Sequence, residues 1–349
     1  MNRGLQICFW GVITGLIGCA RGPGEIPLNE AKYALRLISE TTTLGIANDV
    51  YVVGDSAFIA DNEQGVTIWD VSQPGSPRII DTVPTIGGAL MVKYSPLTDL
   101  VFVVENTPSG GITAYQCSTK MRLMTLYDRG VADFTFQELS HSDSLVVAEV
   151  DGGIGANRGE GYRFHKLYRD LSLGWLDDLR GSYMPPVGNY KGLCLYEDTT
   201  FIAYGEFGVD ILRVNYSTLG NFPVERLGAT DTPGNALSIA LNRSREYALI
   251  ADSHKGLAIV DVKDRRAPRF VGSVKPEGFN RSFKVWAVGD TAYVLEQFWG
   301  VYAVDVSEPH SPRIIALYQT GRPTSIFVTS DHTLFISDEW RGLMILRWR

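Results

Sequence analysis

At six places along the chain a short apolar run ends on a carboxylate: Asp61, Glu105, Glu149, Asp252, Glu296 and Asp338. A seventh run ends on Tyr204, with Glu206 two residues later. Carboxylates gathered at one mouth could hold a hard cation, which prefers several oxygen ligands. Recurrence in nearly every unit argues for a structural duty instead, each acid tying its own hairpin turn or pairing with a neighbouring Arg or Lys. The residues that vary just after these acids are sharper candidates. They read YGEFG (204–208), DSHKG (252–256), EQFWG (296–300) and DEWRG (338–342). Phe207, His254, Phe298, Trp299 and Trp340 are expected on one face, beside Glu206, Glu296 and Asp338. Rings next to carboxylates suit stacking on sugars or gripping a peptide; the competing reading folds the rings over the core. The candidate ligand-binding set is Phe207, Trp299, Trp340, Glu206, Glu296, Asp338 and His254.

Catalytic signatures are sparse. The histidines, His141, His165, His254, His310 and His332, show no metal-ligand spacing, and no GxSxG elbow occurs. The glycine-rich DGGIGANRGEG (151–161) lacks a following GKS or GKT and reads as a lid or partner-binding loop. No catalytic residue, metal or cofactor is assigned. An alternative keeps an envelope hydrolase or lyase acting on sugars, with Glu206, Glu296 and Asp338 as acid and base.

The elements that must position these residues come in repeats. A glycine opens one strand of each unit, at Gly65, Gly111, Gly161, Gly208, Gly256, Gly300 and Gly342. The spacing averages about 46 residues, close to a four-strand propeller blade. In the first unit DVYVVGD (49–55), AFIAD (57–61), GVTIWDV (65–71) and PRIIDTV (77–83) read as four strands, rich in β-branched and aromatic residues and bounded by turn formers. The last unit stops after GLMILRW (342–348), one strand short. LRLISET (35–41) aligns with PRIIDTV and supplies the missing strand. The predicted fold is all-β, a single seven-bladed β-propeller over residues 32–349, closed by an N-terminal strand completing the last blade. Closure hides edges that would otherwise template aggregation.

The third strand LAIVD (257–261), with its echoes at 66–70 and 301–305, resembles the LVIVD-repeat family of bacterial and archaeal cell-surface propellers. The aspartate-to-proline spacing agrees, in Asp70 with Pro77, Asp261 with Pro268 and Asp305 with Pro312. The resemblance is strong in blades one, five, six and most of seven. It is weak in blades two to four, where Gln116, Lys166 and Arg213 replace the aspartate. It implies a propeller at the cell envelope and brings no established activity. The aspartate itself reads as an Asx-type cap on the turn to strand four, and the proline as the start of an edge strand.

The N-terminus carries an address. Arg3, then an apolar stretch from Leu5 to Ile17, then Leu16-Ile17-Gly18-Cys19, resemble a bacterial lipoprotein signal. The resemblance implies cleavage after residue 18, lipid on Cys19 and a flexible tether over 19–31. Ala20 after the cysteine favours the outer membrane if the cell is Gram-negative. With 45% hydrophobic and 20% charged residues and a net charge of −7, the chain suits a globular domain and lacks a basic stripe, which argues against nucleic acid. Cys117 and Cys194 are expected as buried free thiols. The expected function is a lipid-anchored, non-catalytic binding module for a glycan, a peptide or an envelope protein.

Overall fold

The computed structural model describes residues 35–107, 111–126, 130–138, 144–151, 161–170, 174–183, 190–214 and 224–349. The signal, Cys19, the tether and most of the glycine-rich 151–161 stretch lie outside these residues. The described strands form seven four-stranded antiparallel sheets, the blades of a propeller. In blade one the strands are β2 (Asp49–Val53), β3 (Ser56–Ala60), β4 (Val66–Asp70) and β5 (Arg78–Val83), close to the sequence expectation. The last blade contains β26 (Pro323–Val328), β27 (Leu334–Asp338) and β28 (Gly342–Trp348). Its outer strand is β1 (Leu35–Thr41), running antiparallel to β28 from Leu35 opposite Trp348 to Thr41 opposite Leu343. The ring is closed by its own N-terminal strand.

The apolar patterning follows from this geometry. A middle strand is covered on both faces by neighbouring blades, so β3 and β4 are apolar almost throughout and largely buried, while the outer β5 is mostly exposed. The buried side chains fall into seven clusters, each shared by two adjacent blades. The cluster joining Val50 and Ile59 of blade one to Phe335 and Ile345 of the last blade closes the circle. Each third-to-fourth strand pairing also carries a register shift, as between Ile68 and Trp69 and between Ile259 and Val260. Such bulges increase twist and turn the outer strand away from its neighbour.

The repeat glycine has a steric cause. Gly256 sits at φ 82°, and a Cβ there would lie 2.6 Å from the Val274 carbonyl oxygen of strand four. Gly342 repeats this at φ 75° against Thr41 of the closing strand. Left-handed backbone and close approach each require glycine. The third-strand aspartate does cap its turn. Asp70 Oδ1 accepts from the Ser72 amide (3.0 Å) and hydroxyl (2.6 Å), and Oδ2 accepts from Arg78 (2.9 Å) at the start of strand four. Asp305 does the same with Ser307 and Arg313.

Candidate binding face and central channel

The acids that end the second strands are buried, and five of them perform one task. Each accepts hydrogen bonds from the crossing segment that arrives from the preceding blade. Asp61 takes the amides of Leu44 (3.1 Å) and Gly45 (2.9 Å). Glu105 takes the amide of Ile86 (2.9 Å) and the hydroxyls of Tyr115 and Thr113 (both 2.7 Å). Asp252 takes the Gly234 amide and the Thr232 hydroxyl, both at 2.8 Å. Glu296 takes the amides of Asn280 (3.2 Å), Arg281 (2.9 Å) and Phe298 (2.8 Å). Asp338 takes those of Gly321 (2.9 Å), Trp340 (3.0 Å) and Arg341 (3.0 Å). Burial pushes the Asp61 and Asp252 carboxyls above their usual range, with the donated hydrogen bonds pulling the other way. The expected structural duty is met by a different partner: the acids fasten the inter-blade crossing, not only their own turn. Glu296 and Asp338 are therefore not acceptors at an open rim, as the sequence reading had them, because their oxygens face inward and are occupied. Among the described residues no group of three or more His, Cys, Asp and Glu is placed to hold a metal ion.

Blades three and four vary the scheme. Glu149 is buried with its Oε1 3.8 Å from Nε2 of the buried His165. In blade four Tyr204 takes the acid's position, and the carboxylate moves to the third strand. Buried Asp210 accepts from the hydroxyl of Tyr190 on the crossing (2.7 Å) and from Arg226 (2.7 Å). Sequence reasoning passed over Asp210; Glu206, the substitute it suggested, is exposed.

The same loops carry the candidate side chains. Trp340 is 69% exposed, Phe298 60% and Phe207 46%. His254 is also exposed, and its carbonyl oxygen accepts from Lys275 Nζ (2.9 Å). Trp299 does not project: its ring stacks on Phe279 at 5.3 Å and joins the core between blades five and six. The indole covers apolar surface that would otherwise be wetted. Two side chains unremarked in the sequence, Leu44 and Ile86, are exposed on the crossings of this face. Backbone amides of Leu44, Ile86, Phe298 and Trp340 are among those bound by the buried acids. The carboxylates thus fix the backbone from which exposed apolar side chains project.

The first strands of the blades line a central channel. Its larger cavity, about 750 Å³, is bordered by Tyr51, Lys93, Phe136, Tyr196 and Trp286 and opens beside Arg243 and Arg245. A smaller one, about 220 Å³, lies toward the crossings beside Asn48 and Thr324, and both share Asp133, Ser238 and Lys284. Side chains latch the first strands together here. Asp49 accepts from the Val92 amide (3.0 Å), Asp133 from the Leu193 amide (3.2 Å) and Ser238 from the Val285 amide (3.3 Å). Cys194 and Cys117 are free thiols, half-buried and not fully buried as expected. Burial pushes Cys194 up to about 11, so it stays protonated and a poor nucleophile near neutral pH.

A family model described as LVIVD repeat matches residues 44–85, 233–275 and 281–320. The protein carries LVIVD repeats. The matched segments cover blades one, five and six of this LVIVD-repeat propeller, where the aspartate ends strand three. In blades two and four the polarity is inverted: Gln116 donates to Asp99 (2.7 Å) and Arg213 lies 3.4 Å from Asp198, both acids sitting on the turn after strand one. No curated protein matches the chain. Solved structures resemble it in fold. "Structure of U3-55K" has a TM-score of 0.62 at 12% identity, covering 89% of this chain and 97% of that one. "Crystal structure of RRP9 WD40 repeats" also reaches 0.62 at 12% identity, with 90% and 97% covered. The computationally designed Ika8 protein gives 0.59 at 7% identity, with 88% and 98% covered.

Proposed function

We propose that this propeller is a non-catalytic binding module, held at the cell envelope by lipid on Cys19, whose crossing face docks a partner protein. One observation carries the reading. Leu44, Ile86, Phe298 and Trp340 are exposed, while their own amides are bound by buried carboxylates. A surface that pre-pays its ordering entropy binds more tightly for the same contacts. Large apolar side chains shown on a fixed backbone fit a binding surface better than a solvent-facing one. They stand on separate blades around the disc, which suits a broad protein surface better than a single sugar ring. The hydrolase or lyase alternative needs two carboxyls sharing one pocket, about 5–10 Å apart. Glu296 and Asp338 instead direct their oxygens into separate crossings, which favours binding. The lipobox around Cys19 supports the address.

The test uses full-length protein in detergent on peptide and glycan arrays, wild type against a Phe298→Ala/Trp340→Ala double variant. Saturable binding to peptides, lost in the variant, is expected. Binding to glycans alone, or binding the variant retains, would overturn the reading.

A further inference from the structure

We propose that the central channel is a binding site for a small organic anion, with a carboxylate seated against Lys93 and a flat apolar body lying along the aromatic wall. The ionic contacts of the channel leave one charge over. Asp49 is bound by the Val92 amide through Oδ2 and lies 3.7 Å from Lys284 Nζ through Oδ1. Asp133 has both oxygens engaged, Oδ1 by the Phe134 amide (3.0 Å) and Oδ2 by the Leu193 amide (3.2 Å). Lys284 therefore has its counter-ion, and the acids have strand-latching work. Lys93 is left over. Among the described residues no carboxylate lies within ion-pair distance of its Nζ and no oxygen accepts from it. Its neighbours are ring faces, Tyr51 with its centroid at 5.3 Å and Phe134 at 5.6 Å.

An ammonium in that position is costly. Its N–H groups need acceptors, and ring faces supply only part of the lost hydration. Burial correspondingly pushes Lys93 below its usual range, against the opposing fields of Asp49 and Asp133 and with help from Lys284. Burial pushes Asp133 upward, against both lysines. Of these groups the Lys93 ammonium alone would gain from an anion entering from outside. An anion is the partner Lys93 lacks.

The shape of the cavity selects the rest of the ligand. About 750 Å³ is the size of a small-molecule site. Tyr51, Phe136 and Trp286 present apolar surface along it, and Tyr51 lies 6.4 Å from Phe136, ring to ring. At the mouth the Arg245 guanidinium sits over the Tyr196 ring at 4.4 Å, a second positive charge on the entry path. A bare inorganic anion would satisfy Lys93 but leave the aromatic wall wet. An arylcarboxylate satisfies both.

The test is isothermal titration and saturation-transfer NMR on full-length protein in detergent. The probes are benzoate, phenylacetate and indole-3-acetate, with indole-3-acetamide, chloride and phosphate alongside. At least one arylcarboxylate should saturate the protein with a Kd of about 1 mM or tighter, the amide being about tenfold weaker or worse because it brings no charge. Lys93→Met should weaken the carboxylate by a similar factor and raise the melting temperature of the free protein, since it removes an ammonium without a counter-ion. Lys93→Arg should keep binding. A lysine with a purely structural role would instead give a destabilised Lys93→Met. The proposal is overturned if no arylcarboxylate saturates, if the acid and its amide bind alike, if Lys93→Met binds as well as wild type, or if only chloride or phosphate binds. The acid-against-amide comparison needs no variant and decides the matter even if Lys93→Met does not fold.

Discussion

Asp338 offers the most exacting test of the latch mechanism. Its buried carboxylate accepts three backbone amides, from Gly321 on the crossing and from Trp340 and Arg341 on the loop. A hydrogen bond to a charged acceptor contributes about 1.5–3 kcal/mol, so truncation to alanine forfeits roughly 4–9 kcal/mol gross. Two of those amides lie on a surface loop and regain water, and burying the carboxylate no longer costs anything. A net loss of about 2–4 kcal/mol remains, concentrated on the Gly321 crossing. Asp338→Asn keeps one oxygen for the loop but turns an NH₂ toward the Gly321 amide, donor against donor, so about 1–2 kcal/mol is expected. Urea unfolding followed by tryptophan fluorescence should show a lower midpoint at unchanged slope. Hydrogen exchange should show the Gly321, Trp340 and Arg341 amides losing protection together. A Trp340→Ala variant should stay within about 0.5 kcal/mol of wild type, because the indole is exposed. The reasoning is refuted if Asp338→Ala is as stable as Trp340→Ala, or if the three amides stay protected without the carboxylate.

Other expected outcomes are as direct. Gly342→Ala places a Cβ 2.4 Å from the Thr41 carbonyl at a left-handed φ of 75°, and should destabilise by about 2 kcal/mol or more in thermal unfolding. Deleting residues 35–41 uncovers the β28 edge and should give aggregation detectable by light scattering. Asp70 is held down to about 2 by the Ser72 hydroxyl and amide and by Arg78. Its contribution is whole above the unfolded carboxyl range near ~3.9 and is lost as pH falls through about 2, so the melting-temperature gap between wild type and Asp70→Asn should close over that acid window. Cys19→Ser should end palmitate labelling and release the protein from membranes; unchanged labelling and fractionation would remove the envelope address.

Much of the ring was legible because its repeating residues answer to local physics. Gly256 and Gly342 recur as glycine since a left-handed turn and a neighbouring carbonyl leave no room for a Cβ. Asp70 and Asp305 recur because each caps a turn two residues ahead. The site was legible in part. That acids end the second strands is visible in the sequence; that Asp338 reaches Gly321, 17 residues back across a blade boundary, is not. Position within the loop did not tell the exposed ring from the packed one. Phe207 stands three residues beyond Tyr204 and is exposed, whereas Trp299, three beyond Glu296, folds onto Phe279 and joins the core between blades five and six. Asp210 escaped notice because blade four moves its carboxylate to another strand. Lys93 was unreadable for a different reason: a lysine in a first strand looks solvated until six other first strands enclose it.

The central claim is that the crossing face, and not the opposite one, meets a partner protein. Site-specific photo-crosslinking in the cells that make the protein tests it most directly, with a benzophenone amino acid placed at Trp340 and, as control, at Leu97. Leu97 is 59% exposed but lies on the turn between first and second strands, on the other face. A discrete protein adduct at position 340 and none at 97 is expected. No adduct at 340, or the same adduct from both positions, would contradict the account.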